Sequence, residues 1–159
     1  MNWDSWLIWG FAATIVLTTI SSAAQGLGLT RMNLPFMLGT IFTRDRDRAR
    51  FYGFAVHVLA GWVFSLIYVL IFQALGEAGW WRGVVIGLVH ASFVLVVVMA
   101  LLPGLHPRMA SEQHGPAAGN VLEPPGFMAL HYGVQTPLAI VISHAVFGAI
   151  LGAFYRLKL

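Results

Sequence analysis

Four stretches of the chain carry apolar residues without a single charged side chain: 5–25, 51–75, 83–102 and 137–155. About 20 apolar residues are needed for a helix to cross the hydrocarbon core of a bilayer, so each stretch predicts one spanning helix. The chain has nine Lys and Arg and six Asp and Glu, and all fifteen fall outside these stretches. The first stretch starts close to Met1 with no basic segment before it and no small-residue cleavage pattern. It is therefore expected to be a retained helix rather than a removed signal peptide.

A shorter apolar segment, "NLPFMLGTIF" (33–42), cannot span. Asn33 is a good N-cap and Pro35 suits a first turn, which predicts a short helix at the membrane interface or dipping into the bundle. The following "TRDRDRAR" (43–50) predicts the start of the second spanning helix, with Thr43 as cap. Asp45 and Asp47 would sit in the first turn, where the helix dipole favours acids, and could pair with Arg48 and Arg50. A solvated cap is the simpler reading of this run; a headgroup- or partner-binding patch is the sharper one. The loop 103–136 is rich in Gly and Pro and holds His106, Glu112, His114, Glu123 and His131.

Composition agrees with the pattern. The chain is 58% hydrophobic and 9% charged, where soluble domains carry about a quarter charged residues. Its mean hydropathy is +0.78. With no cysteine, disulfides, thiolate metal sites, iron–sulfur clusters and cysteine catalysis are excluded. The net charge of +3 comes from arginines beside apolar segments, which points to topology and anionic lipid rather than nucleic acid. Arg31, Arg44, Arg46, Arg48, Arg50 and Arg108 lie in the two long loops, against Arg82, Arg156 and Lys158 on the other side. Long loops in the cytoplasm and both termini outside are expected, with Trp3, Trp6, Trp9, Trp80 and Trp81 near the outer interface of a cell membrane.

Two spans share a motif. "HVLAGWVFSLIY" (57–68) and "HAVFGAILGAFY" (144–155) both read His-x3-Gly-x3-(Ser or Gly)-x2-Tyr. Residues 10–32 and 87–109 match in length, each opening with Gly and closing with Arg-Met. The expected fold is an all-α integral membrane four-helix bundle forming a single transmembrane domain, built from two repeated hairpins, about 1–75 and 78–159. Parallel repeats of this kind are related by an axis along the membrane normal. His57 and His144 would then lie at matching depth, about two turns in from the cytoplasmic side. The hydroxyl-rich face of the first helix (Thr14, Thr18, Ser21, Ser22, Gln25) should meet protein or a polar cavity.

An ionisable side chain inside a membrane is a functional hypothesis by default. One reading makes His57 and His144 ligands of a transition metal (Zn, Cu or Fe), with His106 and His131 as further donors and nearby methionines favouring Cu(I). A second makes them axial ligands of a haem, with Gly61 and Gly148 leaving room for the macrocycle or, equally, bringing the helices too close for one. A third is proton relay in an oligomeric transporter. Against these stands an accessory or lipid-binding scaffold in which the histidines only bridge helices and no cofactor is bound. His90 is expected to be structural, nearer the outer face. No span contains a carboxylate, and "GLG" (26–28) is a helix exit rather than a phosphate loop, so enzyme chemistry is not expected. Small-residue faces predict a homo-oligomer or a larger membrane complex.

Overall fold

A computed structural model describes residues 1–111 and 122–158. Glu112 and His114 lie outside the described residues. Four helices are long and apolar enough to cross a membrane: α1 (Trp3–Gly26), α3 (Arg46–Leu75), α4 (Trp80–Leu105) and α5 (Thr136–Phe154). The short helix α2 (Leu34–Thr40) joins the first two. The boundaries follow the charge pattern closely. The exception is α4, which continues through Pro103 and is widened by a π-type turn at Val94–Val98. Such turns cluster at functional sites.

Local chemistry sets the helix starts. Asn33 Oδ1 accepts the Phe36 N–H at 2.8 Å, capping α2. The cap of α3 is Asp45, whose Oδ1 accepts the Arg48 N–H at 2.8 Å, and not Thr43. Thr43 instead accepts the Asp45 N–H at 3.2 Å, a turn that leads into the cap. Asp45 is thereby committed to backbone, while Asp47 and Arg50 form the expected pair at 3.2 Å.

Close packing runs α4–α5–α1–α3, with α2 laid on the first turns of α3. Two helix pairs, α4 with α5 and α2 with α3, touch backbone to backbone. A Cβ at Gly83 would stand 1.8 Å from the Gly148 carbonyl oxygen, and one at Gly148 1.9 Å from that of Gly83. Gly39 and Gly53 play the same reciprocal part between α2 and α3, against the carbonyls of Ala49 and Pro35. In lipid, helices associate by such close approach because burial of apolar surface gives no advantage over lipid tails.

The two hairpins pack in different registers. In the first, Gly10 faces Ser65 and Gly61 faces Thr14. The motif-matched contact in the second would be Gly87 with Gly152, yet Gly87 meets His144. That is a slide of eight residues, about two helical turns. Bulk explains it: Gly10 meets Ser and Trp side chains, whereas the glycine pairs of α4 and α5 let whole backbones touch.

The arginine-bearing end is closed by polar clasps. Arg31 donates its backbone N–H to the Tyr132 carbonyl at 2.7 Å and its guanidinium to Glu123 at 3.1 Å. His106 is 1% exposed. Its Nδ1 accepts the Arg108 N–H at 3.1 Å, so Nε2 carries the proton and donates to the Met37 carbonyl at 2.9 Å.

Candidate functional site

Between the helices lies a partly open cavity of about 200 Å³. Its walls are apolar, from Leu17, Leu38, Phe64, Val94, Ile140 and Phe147 among others, and three histidines line it: His57, His90 and His144. The hydroxyl face of α1 supplies its polar end through Ser21, Ser22 and Gln25, as expected from the chain pattern. Thr14 and Thr18 are buried and return their hydroxyls to the α1 backbone, at 2.7 and 2.8 Å from the carbonyls of Gly10 and Thr14. Gln25 Oε1 accepts from Asn33 at 2.9 Å, and the Thr30 and Thr136 hydroxyls meet at 2.6 Å. These bonds tie α1, α2 and α5 at the same end of the cavity.

The motif histidines sit at a common level. Gly61 meets Thr14, so His57, one turn away on the antiparallel helix, falls beside about residue 18 of α1. The Ser5–Arg156 and Thr30–Thr136 bonds bracket α5 against α1 and bring His144 beside about residue 19.

The three imidazoles differ in their bonds. His144 Nδ1 donates to the Ile140 carbonyl at 2.8 Å, one turn back on its own helix, so its Nε2 holds a lone pair. His90 shares a hydrogen bond with the Tyr68 hydroxyl at 3.0 Å, stacks on Phe64 and meets His144 edge to face, ring centroids 4.7 Å apart. His57 is 8% exposed, and its Nε2 is buried with no hydrogen-bond partner. A buried polar atom left unpaired costs about 1–3 kcal/mol.

The other expected site residues lie apart from this group. His106 has both ring nitrogens engaged in the clasp between α2 and the end of α4. His131, in the turn Phe127–Tyr132, donates Nδ1 to the Pro124 carbonyl at 2.9 Å. Neither lines the cavity. Among the described residues no group of three or more histidines or carboxylates is arranged to hold a metal ion. The space next to the two motif glycines is filled. Thr14 occupies it at Gly61 and the α4 backbone at Gly148.

His90 makes the kind of helix-bridging bond expected of a structural histidine, at 3.0 Å to Tyr68, but at a different depth. It stands level with His144 rather than nearer the outer face, and it is the histidine that bridges spanning helices. Its signal was the small-residue stripe Gly83, Gly87, Ala91, whose face it shares at helical spacing. The chain matches no family profile, no curated protein and no solved structure.

Proposed function

We propose that this chain is a small integral membrane binding protein that takes a compact, mostly apolar molecule into the bundle, held by a hydrogen bond to His57 with His144 beside it. The observation that carries the reading is the orphaned His57 Nε2 in a residue lining the cavity. Buried polar groups are almost always paired, and a persistent exception asks for a missing partner. A cavity of this volume suits one or two fused rings, since about 150 Å³ accepts benzene, and it lies below the roughly 300–1,000 Å³ of drug-sized sites. A hydroxyl or carbonyl on the ring would satisfy Nε2 in one tautomer or the other.

Binding a metal or haem through the same two imidazoles is the competing reading, supported by their common level and by the free lone pair of His144. A scaffold role draws support from the Tyr68–His90 bridge. The wider picture belongs to the same proposal: long loops cytoplasmic, both termini outside, α2 at the interface, two hairpins of common origin that slid apart in register, and self-association through small-residue faces.

The test uses 2-naphthol and naphthalene as probes on detergent-purified protein, read by saturable thermal stabilisation. Wild type should bind 2-naphthol about tenfold more tightly than His57→Leu does, the worth of one hydrogen bond, while naphthalene binds both alike. Without ligand, His57→Leu should melt at or above the wild-type temperature, because it removes an unpaired buried atom. A lowered melting point would make His57 a structural residue and end the proposal. Stoichiometric Zn, Cu, Fe or haem lost on His57→Leu would replace it with the cofactor reading.

A further inference from the structure

On the outside of the bundle, at its arginine-rich end, two grooves meet. The first, about 330 Å³, is lined by Arg31, Arg46 and Arg50 together with Glu123 and Tyr132. The second, about 410 Å³, runs along α1 past Ile15, Thr19 and Phe54. They share Asn33, Phe36 and Arg50, so a basic basin opens directly into an apolar trough. From Ser22 to Ile15 the trough covers about two turns of α1, directed from the charged end toward the middle of the span.

The basin is electropositive. Three arginines line it with one carboxylate, Glu123, while Asp47 pairs with Arg50 at its edge, and burial, with Glu123 nearby, pushes the Tyr132 hydroxyl up to about 12, so it stays neutral. Arg46 lies over the Phe36 ring at 5.9 Å. The Arg31–Glu123 and Arg50–Asp47 pairs are exposed, and exposed pairs are weak enough to exchange for a phosphate.

We infer that this double groove is a binding site for one anionic glycerophospholipid, its phosphate among Arg31, Arg46 and Arg50 and an acyl chain along the Ile15–Phe54 trough. The shared chemistry is a phosphate ester; the apolar continuation favours a lipid over a soluble phosphate. Charge complementarity and the direction of the trough, along a helix long and apolar enough to span, argue for this occupant.

The experiment is native mass spectrometry of the detergent-purified protein titrated with dioleoyl-phosphatidylglycerol, dioleoyl-phosphatidylcholine or inorganic phosphate. One phosphatidylglycerol should bind more tightly than any further lipid. An Arg46→Gln/Arg50→Gln double variant should weaken it roughly thirtyfold. Arg44→Gln/Arg48→Gln removes the same charge from the same chain segment but lines neither groove, and should change it by under about threefold. Thr19→Phe, which fills the trough and leaves the arginines in place, should weaken phosphatidylglycerol as well. Equal losses in the two arginine variants would reduce the site to diffuse attraction and overturn it. Phosphatidylcholine bound as tightly as phosphatidylglycerol, or inorganic phosphate displacing the lipid at equal concentration, would overturn it too.

Discussion

Gly148→Ala is expected to destabilise the bundle by about 3 kcal/mol or more, at or beyond the upper end of ordinary overpacking. The added methyl would sit 1.9 Å from the Gly83 carbonyl oxygen. That neighbour is backbone in the middle of a hydrogen-bonded helix, so no side-chain rotation relieves the clash and α4 must move away from α5. The contact is reciprocal, which makes Gly83→Ala equally costly. Separation would also disturb the His90–His144 ring contact, which depends on the same pair of helices. Thermal unfolding followed by circular dichroism in detergent should show a midpoint lower by roughly 10 °C. Gly26→Ala is the control: a Cβ there meets nothing within 4 Å, and the residue ends α1. If Gly148→Ala melts together with that control, the backbone contact of α4 and α5 is wrong.

His106→Ala should cost roughly 2–4 kcal/mol through two combined effects, a buried void and the loss of hydrogen bonds from both ring nitrogens. The Arg108 N–H would lose its acceptor, and the Met37 carbonyl one of its side-chain donors, another being the Thr40 hydroxyl at 2.6 Å. The damage should be local. Amide exchange is expected to quicken in α2 and in the last turn of α4, while α1 and α5 keep their protection, because His106 joins only the first two. His106→Gln, which retains a donor of similar reach, should recover part of the stability. Uniform loss of protection throughout the bundle would contradict the clasp. The variant also bears on metal chemistry: a site that used His106 as a ligand would lose its metal here, whereas the cavity reading leaves 2-naphthol binding intact.

Much of the candidate site was legible in the chain. The His-x3-Gly motif singled out His57 and His144, and both line one cavity at one level along α1. The polar end of that cavity could also be read, since polar groups such as Ser21 and Gln25 in an apolar stretch call for protein or a polar cavity. The part that was not legible concerns partners. Gly61 and Gly148 share a motif position, yet one meets a threonine side chain and the other a backbone carbonyl. His106 and His131 resembled further ligands because a loop sequence does not reveal which nitrogen its own backbone will engage.

The sequence by itself determined where the helices run and that four of them are long and apolar enough to cross a membrane, because excluding charge from hydrocarbon is a property of each segment alone. It likewise determined the cap of α2, a bond between residues three apart. Only the tertiary structure decided which helix faces which, the two-turn slide between the hairpins, the pairing of His90 with Tyr68 and the isolation of His57 Nε2. Those depend on contacts between residues far apart in the chain, where one methyl group more or less sets how closely two helices approach.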